Sequence, residues 1–480
     1  MTTATDRVPL GTKLAYGAGA IAYGIKENGF TVFLLLFYNQ VVGLNAGVVG
    51  TVIAIALIFD AMIDPVIGVL SDRTHTRWGR RHPWLYGSAL PIALAWMMLW
   101  YPPEGSDSMA FGWLLLSAIL ARAALATNEV PSLAMAPELT RDYHERTAVL
   151  RYRYLFGWIG GLIALVLAYQ VFLAPPIGAP TGPGMKTGLQ AYGFATAIAM
   201  AVTVVLSALG THRRMAKPPL KRIPPQSFRG TLNEIRQPLG NRAFVILICA
   251  GAFAHINSGL GLAISQYNLN YVWQLTPTQL TLYALSLFAG VAGIFFLITP
   301  IARALGKVRA CAMLCVTSAL FVCSTYVLRL LGLFPEVGDP AMLPAFLVLN
   351  TIGTALGVGA LIIAGSMMSD VVEASEEKTG RREEGLFFAG TLFMQKTSSG
   401  LGIFIVGLLL AAAEFPDNAV GGQVAKDVLD RMTLYFVIAT LALSALAAIV
   451  VSRFPFGEDE HRARVAKLAV ASEGSSAQGD

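Results

Sequence analysis

Two carboxylates four residues apart inside an apolar stretch carry the first chemical signal. Asp60 and Asp64 lie in IALIFDAMIDPVIGVLSDRTHTRWGRRHPW, residues 55–84. On a helix that spacing puts both acids on one face, one turn apart. A carboxylate at membrane depth costs about 2.5 kcal/mol or more on insertion scales, so the pair belongs on a bundle interior or a watery cavity with cations nearby. Pro65 follows at once, where it can kink the helix and free a backbone carbonyl beside the acids. More charges recur in apolar surroundings: Lys26 and Glu27, Arg122 and Glu129, Arg153 and Lys396. With both signs present, the chemistry on offer is ion binding and exchange of partners. The plain structural alternative is a static network of ion pairs. Lys396 near the two aspartates would lower the cost of each charge. Lys26 is either a local partner of Glu27 or a snorkelling side chain. Arg122 divides between structural pairing and substrate contact. Glu129 stands two residues before Pro131, where a loosened backbone opens carbonyls to a cavity, and Arg153 is a candidate partner for it.

The elements that must hold these residues are apolar segments. Of 480 residues, 55% are hydrophobic and 13% charged, against about 25% charged in soluble domains. The chain reads as an all-α membrane protein with twelve transmembrane helices, at roughly 12–41, 47–72, 83–102, 109–138, 150–173, 188–211, 241–272, 278–301, 309–333, 342–371, 385–413 and 430–452. The N-terminus MTTATDRVPLGTK has no short apolar core with a cleavage site, so no removable signal is expected. Of 35 lysines and arginines, most fall in alternate connectors, which puts both termini in the cytoplasm. The net charge of +6 therefore speaks of orientation, with no nucleic-acid partner implied. Four cysteines, Cys249, Cys311, Cys315 and Cys323, sit in apolar segments and read as small buried hydrophobes.

The longest basic connector divides the chain into an N-terminal six-helix bundle (1–211), a cytoplasmic linker (212–240), a C-terminal six-helix bundle (241–453) and a cytoplasmic tail (454–480) expected to be disordered. WGRRHP after the second helix is echoed by ALGKVR after the eighth, which suggests two pseudo-symmetric halves. That layout is the major facilitator fold, with its sites near the midplane between halves. Soluble-enzyme signatures are missing: there is no HExxH and no GxxxxGK[ST]. An intramembrane metalloprotease of the common kind and an ATP-driven pump are thus disfavoured. Energy must come from an ion gradient or from the solute's own gradient. Asp72, Arg73, Arg77, Arg80 and Arg81 follow the aspartate helix as a candidate cytoplasmic gate, or as plain positive-inside residues.

FDAMIDPVIGVLSDRTHTRWGRRHPWL resembles the second helix and following loop of the glycoside–pentoside–hexuronide:cation symporter family, the melibiose-permease-like branch of the major facilitator superfamily. The likeness continues in KLAYGAGAIAYG, FYNQVVGL, EVPSLAMAPELTRDYHERTAVLRYRYLFGWIGGL and SDVVEASEEKTGRREEGLFFAGTLFMQKTSSGLG. The resemblance implies cation-coupled alternating access in a bacterial inner membrane. It implies cation binding by Asp60 and Asp64, a coupling lysine in Lys396, and a substrate-contacting acid and base in Glu129 and Arg153. Lys26, Glu27 and Arg122 complete the candidate substrate-binding set. There are departures. The family's sugar-binding aspartate of helix 1 falls at Gly24, with Glu27 as its candidate substitute, and a helix-4 tryptophan falls at Leu133. Sodium-using relatives have an asparagine before the second aspartate, where this chain has Ile63, and a threonine where it has Ala126.

The expected function is symport of a sugar or glycoside, a small-molecule substrate, with no enzyme activity and no organic cofactor. The expected coupling ion is a proton, with sodium as the alternative and no other metal. Membrane lipid is the expected surrounding partner. Two rival readings are symport of an amphipathic solute such as a lysophospholipid, and a membrane sensor that binds without transporting.

Overall fold

Apolar side chains on the outside of long helices set the architecture. The computed structural model describes residues 7–140, 143–173, 184–215, 240–379, 384–416, 419 and 422–455. Described residues form helices α1 Leu10–Ala18, α2 Ile21–Asn28, α3 Leu34–Gln40, α4 Ala46–Arg73, α5 His82–Trp100, α6 Asp107–Ala134, α7 Ala136–Leu139, α8 Tyr143–Leu167 and α9 Met185–Met215. They continue as α10 Arg242–Tyr267, α11 Pro277–Leu305, α12 Lys307–Leu330, α13 Met342–Thr379, α14 Glu384–Ala412 and α15 Lys426–Val451. Helices α1 to α3 form one span, and α7 is a short appendix to α6. Among the described residues the result is twelve long helical segments in an all-α fold. Eleven of these are long and apolar enough on length and composition alone. The remaining one, α5, has 19 residues and is diluted by His82, Pro83, Pro91 and three tryptophans. Leu297, Phe295 and Phe296 on α11 are 57–77% exposed, the surface expected of a helix that meets hydrocarbon.

Local sequence explains several ends. Asn45 caps α4 by accepting from the Gly47 amide at 2.9 Å. Pro83 sits in the first turn of α5, where its missing N–H costs nothing. Gly306 separates α11 from α12 with φ +76, a left-handed turn that favours glycine. Among the described residues, three spans carry a π-helical turn, at Gly29–Phe33, Ala168–Phe172 and Asn268–Val272. Each such turn adds a residue and rotates the faces that follow it.

Contacts divide the chain into two compact units. The first holds residues 1–224, 259–284 and 400–429. Its core includes an aromatic stack in which Phe37–Trp100, Trp96–Trp100 and Phe33–Tyr192 have centroids 5.4–5.9 Å apart. The same unit holds one closely packed end. There Tyr267 Oη donates to Asn39 Oδ1 at 2.9 Å, Gln40 Nε2 donates to the Pro416 carbonyl at 3.3 Å, and Gly407 lies against Ala46 and Gly47. The second unit holds residues 225–258, 285–399 and 430–480. It is built around Phe244, Ala310, Cys311, Met367 and Phe387, with the two phenylalanine rings 5.0 Å apart. Cys311 and Cys323 are buried as expected. Cys249 is exposed and Cys315 half-buried, because each sits on an outward-turned part of its helix.

The two basic turns are used alike. In the first unit Arg81 Nε donates to Glu138 Oε1 at 3.0 Å, tying the turn after the second span to the end of the fourth. In the second unit Lys307 Nζ donates to Asp370 Oδ1 at 2.7 Å, tying the turn after the eighth span to the tenth. The same bond at corresponding places is what an internal repeat produces. The linker at 216–239 and the tail from 456 lie outside the described residues.

Candidate functional site

The first unit places most of the expected residues in one polar cluster. Asp60 lies near the middle of α4 and is 2% exposed; Arg122 lies near the middle of α6 and is 1% exposed. Arg122 Nη1 donates to Asp60 Oδ2 at 3.2 Å. The guanidinium also lies 4.0 Å from the centroid of the Phe30 ring, a cation–π contact that holds its plane. Its Nε and Nη2 are buried without a hydrogen-bond partner among the described residues. Asp64, one turn further along α4, is half-buried.

Lys26 on α2 is 1% exposed. Its Nζ donates to Glu129 Oε2 at 2.8 Å and lies 3.2 Å from Glu27 Oε1. The ammonium also sits 4.5 Å from the Tyr23 ring centroid. Of the two acids, Glu129 is the better buried, its side chain 23% exposed against 40% for Glu27. Lys26 is therefore an ion-pair partner in the interior and not a snorkelling side chain. Removing one partner of a buried pair commonly costs about 3–5 kcal/mol, because the other charge is stranded.

Arg153 makes a different bond from the one expected. Its Nη1 donates to Ser132 Oγ at 2.7 Å, and its guanidinium lies 5.8 Å from the Tyr16 ring. Tyr16 Oη in turn donates to the Ser132 carbonyl at 3.1 Å. Glu129 is taken by Lys26 because α2 presents that ammonium directly to α6. Glu129 and Arg153 nonetheless line one small pocket with Tyr23 and Asn128. Acid and base thus border the same small cleft while each is held by another group.

Gly24 explains a departure in physical terms. A Cβ there would lie 2.0 Å from the Gly157 carbonyl oxygen and 2.6 Å from the Gly161 amide. Helices α2 and α8 touch backbone to backbone at this point, so an aspartate has no room. Leu133 is 38% exposed. Thr127 donates its hydroxyl to the Ala124 carbonyl of its own helix at 2.6 Å. Lys396 lies on α14 in the second unit, half-buried.

The basic turn forms a compact knot. Arg81 Nη1 donates to Ser71 Oγ at 2.5 Å, and its Nη2 pairs with Asp72 and with Glu138, the latter at 3.0 Å. Arg80 Nη2 reaches the same Glu138 oxygen at 2.8 Å. Arg77 lies 5.3 Å from its neighbour's indole, Trp78, and Arg73 ends α4, its carbonyl accepting from His75 at 2.6 Å. These bonds of Asp72, Arg80 and Arg81 stay within the first unit.

Sequence reasoning missed the Asp60–Arg122 pair. Asp60 lies fourteen residues into α4 and Arg122 fifteen into α6, which is about 21–22 Å from each start at 1.5 Å per residue. Spans two and four run the same way, so equal depth was a usable signal.

A family model described as MFS/sugar transport protein matches residues 15–458. The isoprimeverose transporter of Lactiplantibacillus pentosus is 25% identical, over 92% of this chain and 89% of that protein. The sodium-dependent lysophosphatidylcholine symporter 1-A of Danio rerio is 23% identical, over 93% and 86%. Among solved structures, a bacterial homologue of the human lysosomal transporter Spinster superimposes with a TM-score of 0.66 at 16% identity, covering 93% of this chain and 96% of that one. That likeness speaks for the fold.

Proposed function

The chain belongs to the MFS/sugar transport protein family, and from that premise we propose that it moves a sugar or glycoside together with a proton by alternating access. Membership makes it a multi-pass membrane symporter and a transporter rather than an enzyme. The finer reading rests on one observation. At mid-depth in the spans of the first unit, Asp60 is paired with Arg122 and Glu129 with Lys26, and Asp64 is a further carboxylate one turn from Asp60. In this reading that carboxylate pair on α4 exchanges a monovalent cation. Asp60 or Asp64 is the proton site in this reading, and Lys396 tunes it electrostatically. A proton needs one carboxylate of suitable environment. A hard metal cation needs several oxygens around it, and Ile63 and Ala126 supply none from their side chains.

The solute site in this reading is centred on the small cleft bordered by Tyr23, Asn128, Glu129 and Arg153, which must widen to admit a sugar, with Glu27 a further candidate contact. An acid, a base and an aromatic ring are the groups that hydrogen-bond and stack on a sugar. The absence of room at Gly24 argues for a glycoside bound otherwise than by an acid at that place. The halves 1–211 and 241–453 are taken as the two rocking bodies, with the linker, both termini and the Arg81 knot on the cytoplasmic side of a bacterial inner membrane.

Counterflow with a panel of radiolabelled pentosides, glucosides, glucuronides and lysolipids in proteoliposomes tests this. One sugar class should exchange, and Glu129→Gln should weaken its binding while preserving a monodisperse protein. Exchange of lysolipid alone would replace the sugar by an amphipathic solute. Saturable binding without exchange would point to a sensor.

A further inference from the structure

Resting on the symport reading, we propose that Arg122 is a built-in cation at Asp60, so that Asp60 is closed to sodium and the exchangeable ion is left to Asp64. Three observations meet here. First, the pair is wholly interior: Asp60 is 2% and Arg122 1% exposed, and Nη1 donates to Oδ2 at 3.2 Å. Second, the guanidinium is gripped on its face by Phe30 at 4.0 Å, so it is held beside the carboxylate from two directions. Third, Nε and Nη2 have no hydrogen-bond partner among the described residues. Neutralising or removing Asp60 would therefore strand a guanidinium with no other hydrogen-bond acceptor at Nε or Nη2 among the described residues.

Arginine carries its charge at every physiological pH and offers five donors but no acceptor. A metal ion arriving at Asp60 would meet this fixed charge at contact distance, with no water between to screen it. To enter, it must displace a guanidinium whose Nε and Nη2 already lack a hydrogen-bond partner among the described residues. The neighbourhood offers no relief, because Lys26 on α2 lies within the field of both Asp60 and Arg122 and is itself committed to Glu129 and Glu27. Asp64 differs. It lies one turn away on the same face of α4 and is half-buried, less enclosed than Asp60. Two carboxylates at helical spacing thus have unlike roles: Asp60 is an internal salt and Asp64 is the exchange site.

The test reads sodium binding directly and needs no solute. The full-length protein is purified in detergent, and its thermal unfolding is followed in sodium, lithium or choline chloride at equal ionic strength. A cation that binds only the folded state raises the midpoint saturably. Wild type and Arg122→Lys should show the same midpoint in all three salts. Arg122→Met, which removes the charge and keeps most of the volume, should gain a saturable rise in sodium or lithium. Asp60→Asn combined with Arg122→Met should lose it again. A folded Arg122→Met protein with no response overturns the proposal. So does a wild-type sodium response that Asp60→Asn combined with Arg122→Met abolishes; this variant strands neither charge, and the arm decides even if Arg122→Met alone fails to fold. Failure of every solute to accumulate would instead refute the symport reading and leave these salt responses as they are.

Discussion

Glu129→Gln and Lys26→Met should differ sharply although they cut the same bond. The Lys26 ammonium is 1% exposed and bonded to Glu129 at 2.8 Å. Glutamine at 129 leaves that ammonium in the interior with Glu27, whose side chain is 40% exposed and 3.2 Å away. Stranding a buried charge costs about 3–5 kcal/mol. The remaining acid offsets part of this, though as a half-solvated pair it contributes on the order of 1 kcal/mol or less. A loss of about 2–4 kcal/mol is therefore expected. Methionine at 26 removes the desolvated cation and keeps an apolar stem. Glu129, whose side chain is 23% exposed, keeps part of its hydration, so about 1 kcal/mol is expected. The double variant should resemble Lys26→Met, giving a coupling of about 2–4 kcal/mol. Graded SDS unfolding in mixed micelles measures all four proteins. Equal losses for the two single variants, or additive losses in the double, would refute the interior ion pair.

Three further outcomes follow from close contacts and from one surface carboxylate. Gly24→Ala should separate α2 from α8 and cost expression or monodispersity on size exclusion, since its Cβ would meet the Gly157 carbonyl oxygen at 2.0 Å. Gly407→Ala should slow turnover at unchanged expression, because the new Cβ would lie 2.5 Å from the Ala46 carbonyl oxygen and resist closure of that end; uptake at the wild-type rate would show that the contact is not on the transport path. Glu145, before the fifth span, is held below the usual carboxylate range chiefly by the Lys13 hydrogen bond, helped by the Val8 amide. A depressed folded value means its stabilisation is present above the ordinary glutamate range, about 4.3, and fades as pH falls through the folded value. Melting of wild type and Glu145→Gln should accordingly differ at pH 7 and converge in acid.

The spans were legible because each is an apolar run bounded by charge or by Gly and Pro, and hydrocarbon demands nothing subtler. The residues of the polar cluster were legible for the same reason, since a charge in such a run stands out. Their pairing was less so. Which acid meets which base depends on helix rotation, which is set by packing between spans and not by any one of them. Lys26 reaches Glu129, where Arg153 was expected. Arg122 was seen as a charge but not as Asp60's partner, although their equal depths were open to counting. Gly24 read as a missing aspartate; only the packing shows that α8 occupies the space.

Proton-coupled accumulation is the most direct test. Proteoliposomes would be loaded so that an inward proton gradient or an inward sodium gradient can be imposed separately, with the exchanging sugar from the counterflow panel outside. Accumulation above equilibrium should follow the proton gradient, collapse with a protonophore, and vanish in Asp64→Asn while counterflow partly survives. Sodium-driven accumulation that persists with the proton gradient collapsed would contradict the account.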